Sequence, residues 1–132
     1  MPSVLDTHAW MWWVAGDRRL SRRARTSIAR DASRGELYLS VYSIWEVAKR
    51  VEKGQLGFDR SLDEWLDAAL SAEGLQVADL TRALIADSCR LPQPFHGDPA
   101  DQIIVATSRA LSATLITKDP RLRDYPHVRT VW

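Results

Sequence analysis

Pro99-Ala-Asp101-Gln-Ile-Ile-Val-Ala-Thr107-Ser-Arg-Ala-Leu111-Ser-Ala-Thr114-Leu-Ile-Thr117-Lys-Asp119 reads as a helix that passes directly into a strand. Asp98 with Pro99 at the first helical position is a standard helix start, and Asp101 in the first turn suits the positive end of the helix dipole. The pattern predicts a helix over 99–111 and a strand over 114–117, with Asp119 two residues beyond it. The same alternation continues in both directions. Strands are predicted at 3–5, 37–40, 75–78 and 128–131, and helices at 8–15, 21–33, 43–53, 61–72 and 81–90. Gly54, Gly57 and Gly74 end helices, and Pro92 and Pro94 stop the one before them. Leu62, Trp65, Leu66, Ala69 and Leu70 share one helical face. Strands separated by helices imply an α/β fold with a mainly parallel five-stranded sheet, because parallel neighbours need crossover connections. Right-handed crossovers bring strand C-termini and helix N-termini to one edge, where open α/β sheets bind ligands.

The 132 residues allow one domain, 1–132, on the scale of roughly 100–200 residues per domain. With 45% hydrophobic and 27% charged residues, the composition excludes a disordered tail, a collagen-like repeat and a disulfide scaffold. The longest apolar run, 9–15, is far short of the roughly 20 residues of a spanning helix. The N-terminus lacks the basic and apolar regions of a secretory signal. These features predict a cytoplasmic protein with no membrane association. Cys89 is the only cysteine, read as a small buried hydrophobe in the helix with Leu84 and Ile85.

Four acidic residues fall on the predicted ligand edge. Asp6 ends the first strand, Glu46 and Asp101 lie in first helical turns, and Asp119 follows the fourth strand; Asp98 sits one turn before Asp101. Each has a local structural reading. Ser43-x-x-Glu46 is a capping box pattern, Glu46 has Arg50 one turn on, Asp98 starts a helix, and Asp6 and Asp119 suit turns. Taken together they are carboxylates that repel one another unless a cation lies between them. Hard oxygen ligands without His or Cys at ligand spacing select magnesium or manganese over zinc. An ion held this way suits phosphodiester hydrolysis.

Val4-Leu-Asp6-Thr-His-Ala-Trp-Met-Trp-Trp13, Ser40-Val-Tyr-Ser43-Ile-Trp-Glu46-Val-Ala-Lys49, His96-Gly-Asp98-Pro-Ala-Asp101-Gln-Ile-Ile-Val-Ala-Thr107 and Leu115-Ile-Thr117-Lys-Asp119-Pro-Arg-Leu122 resemble the four motifs of PIN-domain proteins, in particular the VapC-type toxins of bacterial toxin–antitoxin pairs. The resemblance runs from residue 3 to about 131. It implies a three-layer α/β/α PIN-like fold and a magnesium- or manganese-dependent endoribonuclease with one or two ions. The implied assembly is a homodimer held inactive by a cognate antitoxin. It gives metal-site roles to Asp6, Glu46, Asp101 and Asp119, an auxiliary one to Asp98, and supporting hydroxyls to Thr7, Ser43 and Thr117. Gln102 stands where related sequences often carry arginine, so no substrate contact is carried over to that position.

Charge is distributed unevenly. Arg18, Arg19, Arg22, Arg23, Arg25, Arg30 and Arg34 face only Asp17 and Asp31 in residues 17–34, on a chain whose net charge is +1. This basic arm reads both as a contact for RNA or antitoxin and as the solvated face of a helix that buries Leu20, Ala24, Ile28 and Ala32. Lys118, Arg121 and Arg123 lie beside Asp119, within reach of backbone phosphates. Of six tryptophans, Trp10 and Trp13 read as core or dimer contacts, and Trp12 is left open between packing and base stacking. His8 and His96 flank acidic motifs without a partner for nucleophilic or acid–base catalysis. Two other functions fit parts of the chain: a receiver-like phosphoacceptor, with Asp79 near the end of the third strand, and a non-catalytic nucleic-acid-binding module using the arginine arm. Thr7 after Asp6 opposes the first, which needs adjacent acids there, and the four edge acids oppose the second.

Overall fold

The computed structural model describes residues 1–132. Its elements are β1 (Ser3–Leu5), α1 (Thr7–Ala15), α2 (Arg22–Ser33), β2 (Leu37–Ser40), α3 (Val41–Glu52), α4 (Leu62–Leu70), β3 (Leu75–Ala78), α5 (Arg82–Ser88), α6 (Pro99–Ala110), β4 (Thr114–Ile116), α7 (Pro120–Arg123) and β5 (Thr130–Val131). The five strands are all parallel, in the order β3-β2-β1-β4-β5. A receiver domain has the flavodoxin-like order 2-1-3-4-5, so this topology removes the receiver reading; Asp79 follows an edge strand.

The pleat of the sheet separates two cores. Leu5, Leu37, Leu39 and Ile116 pack with Ala9 and Trp10 of α1, Ala24 and Ile28 of α2, Val47 of α3 and Ala69 of α4. Val4 and Leu115 face the other side, against Leu84 of α5 and Ile104, Val105 and Ala106 of α6. The result is the expected helix–sheet–helix layering. Residues alternate between the two cores along strands buried on both faces, as parallel sheets require. Of the expected stripe, Leu20 just before α2 and Ala24 and Ile28 within it are almost fully enclosed, and Ala32 is partly buried. Below it, Asp31 is buried and paired with the Arg30 guanidinium and the Ser3 hydroxyl, which ties α2 to β1. Gly74 has φ +84 and lies against α2, where an added Cβ would fall 1.9 Å from the Ala32 carbonyl oxygen.

Several expectations are corrected. Helix α3 begins at Val41, because the Ser40 hydroxyl at the end of β2 accepts from the Tyr42 amide at 3.1 Å. Ser43 is therefore inside the helix, no capping box forms with Glu46, and Glu46 lies in the second turn. Helix α7 was not anticipated. It repeats the Asp-Pro start of α6 at Asp119-Pro120, but its four residues are too few to show a hydrophobic period. Cys89 is exposed. α5 buries Leu84 and Ser88 one turn apart, and Cys89, its C-cap, and the exposed Ile85 lie off that stripe. No helix is long and apolar enough to cross a membrane.

Candidate active site at the sheet edge

Chain order reverses beside β1, between β1 and β4, and open α/β sheets bind ligands outside such a switch point. Asp6 leaves β1 there and caps α1, with Oδ1 accepting the Ala9 amide at 2.7 Å. Its Oδ2 accepts the Thr117 hydroxyl at 2.5 Å across the gap to the end of β4. Thr117 Oγ1 in turn accepts the Asp119 amide at 3.1 Å, and Asp119 caps α7. Asp98 caps α6 by accepting the Asp101 amide at 3.2 Å. The local and the site readings therefore coincide: capping fixes the backbone that aims these carboxylates. Glu46 is held from α3 by the Thr7 hydroxyl of α1, which also bonds Ser43 Oγ at 2.9 Å.

Asp6, Glu46, Asp98, Asp101 and Asp119 line one cavity of about 570 Å³, together with Thr7, His8, Trp12, Arg19, Arg50, Lys118 and Arg121. A hollow of about 420 Å³ beside the start of β4, at the opposite edge, includes Arg109, His127 and Arg129 and has no carboxylate in its lining.

Burial disfavours the charged form of three of the acids. The Asp6 carboxyl, 8% exposed, is pushed up from 3.8 to about 6, chiefly by desolvation, which outweighs the bonds from Thr117 and Ala9; the charges of Asp101 and Asp119 add to the rise. Glu46 is raised by burial against the opposing bond from Thr7. Asp101 is raised by burial despite His96 Nε2, 2.7 Å from its Oδ2. Asp119 differs. Its desolvation is outweighed by the side-chain and backbone bonds from Arg121 and by that residue's charge, so its carboxyl lies below the ordinary range.

These residues fit a divalent cation. The donors are carboxylate oxygens, and burial holds three of the groups above their ordinary values. Arg121 already stands in for a cation, with Nη2 3.1 Å from Asp119 Oδ2 and 3.4 Å from Asp101 Oδ2. With those oxygens engaged by Arg121, His96, Thr7 and Thr117, no three acidic or imidazole groups close on one point in this conformation.

Of the basic arm, only Arg19 lines the cavity; Arg18, Arg22, Arg23 and Arg25 are exposed elsewhere. Lys118 lines it and Arg123 does not. Arg121 turns inward to the acids rather than standing free for phosphate. Arg50, one turn from Glu46, makes no ion pair with it and reaches His8, Nη1 to Nε2 at 3.4 Å. Burial, and then Arg50, lower the His8 pKa. Gln102 is absent from the cavity wall. Trp10 is fully buried and meets Trp65 edge-on, and Trp13 packs against the same core.

The PIN domain family pattern matches residues 3–128. Ribonuclease VapC22 of Mycobacterium tuberculosis is 35% identical over 131 residues, spanning 98% of this chain and 97% of that protein. Among solved structures, VapBC2 from Rickettsia felis bound to a promoter DNA fragment superposes with a TM-score of 0.73 at 18% identity, covering 99% of this chain and 98% of that one. DNA-bound VapBC from Salmonella typhimurium does so with a TM-score of 0.63 at 18% identity, covering 99% and 97%. At such identities the structural likeness is one of fold.

Proposed function

The chain belongs to the PIN domain family, and on that premise we propose that it is a magnesium- or manganese-dependent endoribonuclease cutting single-stranded RNA, the toxin of a toxin–antitoxin pair. The observation that carries this reading is the convergence of Asp6, Glu46, Asp101 and Asp119 on one cavity at the switch point of the sheet. The ribonuclease relative and the toxin–antitoxin complexes that share the fold support it. The acting unit is a homodimer silenced by its antitoxin, the arrangement that the family resemblance implies.

In this reading Asp6, Glu46, Asp101 and Asp119 hold one or two ions, with Asp98 auxiliary. The bound metal supplies Lewis acidity for attack of water on the phosphodiester and for charge on the leaving oxygen. The chain supplies position. Thr117 fixes Asp6, Thr7 and Ser43 fix Glu46, and His96 fixes the outer oxygen of Asp101, which sets the direction of each carboxylate. Lys118 at the wall is the cation free to meet the phosphates, while Arg121 is engaged by Asp101 and Asp119.

The test is cleavage of single-stranded RNA by purified protein with magnesium, with manganese and with a chelator. Metal-dependent cleavage that stops in EDTA and is absent from Asp101→Asn supports the reading. Undiminished cleavage in excess EDTA sinks it.

A further inference from the structure

Trp12 lines the acidic cavity while also packing, like Trp13, against the core that encloses Trp10. It is half-buried, backed edge-on by Trp132 at 5.7 Å between ring centroids and flanked by His8 at the same distance. Two cations from different segments converge on it. The Arg19 guanidinium carbon lies 5.0 Å from the indole centroid, and Lys118 Nζ lies 5.9 Å away. Neither is spent on the site acids, since Arg19 pairs with Asp17 outside the cavity and Lys118 has no ion pair. Trp10, the core tryptophan, has no such neighbours. Two cations held over one indole, neither spent on the site acids, keep positive charge on an aromatic surface inside the cavity, and an aromatic ring with phosphate-binding cations is the composition of sites for unpaired nucleotides.

We propose that Trp12, Arg19 and Lys118 form a nucleotide subsite on the flank of the acidic cavity. An unpaired base next to the scissile phosphate takes the place of these cations over the indole, and Lys118 and Arg19, moved aside, hold its phosphate. This rests on the ribonuclease reading and extends it by naming what grips the substrate beside the cut.

The experiment measures binding of a fluorescently labelled short oligouridylate, and of the same chain with abasic riboses, in the Asp6→Asn background with magnesium. Trp12→Leu is expected to weaken oligouridylate binding about tenfold or more, Trp12→Phe to retain most of the affinity, and the abasic chain to bind all three alike. Lys118→Ala, a change on an exposed side chain that keeps the test decisive should Trp12→Leu fail to fold, weakens both chains and lowers the salt slope by about one. Equal oligouridylate affinity for Trp12→Leu and the parent overturns the subsite, as does an equal loss with the abasic chain, or a defect confined to a protein partner. If single-stranded RNA is neither bound nor cut by the wild-type protein, the ribonuclease reading falls first and takes the subsite with it.

Discussion

Arg121 of α7 reaches Asp101 of α6 across the mouth of the cavity, Nη2 to Oδ2 at 3.4 Å, while also pairing with Asp119 at 3.1 Å. One guanidinium thus spans two carboxylates from separate elements at the place where a divalent ion would bind. With its side chain 57% exposed, Arg121 is held by contacts that are weak individually, on the order of 1 kcal/mol or less. It can be displaced, and an ion at the proposed site would compete for the same oxygens. Arg121→Ala is therefore expected to bind manganese about fivefold more tightly by isothermal titration. The Asp119 carboxyl, followed by carbon-detected NMR, should titrate higher than in the wild type. Unchanged metal affinity would show that the guanidinium and the ion do not share ligands.

The residues that orient the carboxylates separate metal dependence from simple acidity. Loss of an outer hydrogen-bond partner typically costs 10–100-fold in metal affinity or activity, and loss of a ligand costs more. Asp101→Asn and Asp119→Asn are expected to lower cleavage by more than about a hundredfold, and Thr7→Val, which frees Glu46, by about 10–100-fold. Excess manganese should restore part of the Thr7→Val activity and little of the others. Equal loss in all three, insensitive to metal concentration, would place Thr7 in folding rather than in aiming Glu46.

The arginine arm divides into two parts with separable effects. Arg18, Arg22, Arg23 and Arg25 are exposed away from the cavity, while Arg19 lines it. Neutralising the four outer arginines to Gln should leave kcat on a short RNA unchanged. It should weaken binding to the antitoxin or to long RNA with a shallower salt dependence, since counterion release scales with the charges engaged. Affinity and salt slope unchanged for both partners would leave the arm a solvated helix face.

Much of this was legible from the chain alone because the deciding signals are local. Buried three- and four-residue strands, the Asp98-Pro99 start and the four-residue spacing in α2 each follow from contacts within a few residues, and they put Asp6, Asp101 and Asp119 on one edge. What escaped depends on contacts between distant segments or on choices between adjacent residues. Ser40 and Ser43 are both competent caps, and the chain turns into the helix at the end of β2, where Ser40 accepts the Tyr42 amide. Arg121 turns inward because α7 exists, and α7 is too short to announce itself by period. Trp12 is indistinguishable from Trp10 and Trp13 in sequence. Only the meeting of α1 with Arg19 and with the loop after β4 sets it apart.

The buried acid at the switch point links site and stability through pH. In the metal-free protein Asp6 titrates near 6 rather than 3.8, so the folded state holds its proton more tightly than the unfolded chain does. For a raised carboxyl, stability is fully present below 3.8 and is lost as pH rises through about 6. The difference is worth about 3 kcal/mol at neutral pH. Asp6→Asn removes the charge while keeping Oδ1 for the Ala9 amide, and Asn caps helices as well as Asp. Its amide can also donate to Thr117 Oγ1 in place of the bond it received. In urea unfolding with EDTA, the variant is expected to exceed the wild type by up to about 3 kcal/mol at pH 7 and to show no such advantage at pH 4. Magnesium should narrow or reverse the difference by stabilising only the wild type, and cleavage by the variant should be lost. A variant less stable than the wild type by more than about 1 kcal/mol in EDTA at pH 7, the usual worth of a cap, would instead place Asp6 among structural caps, as would retained cleavage.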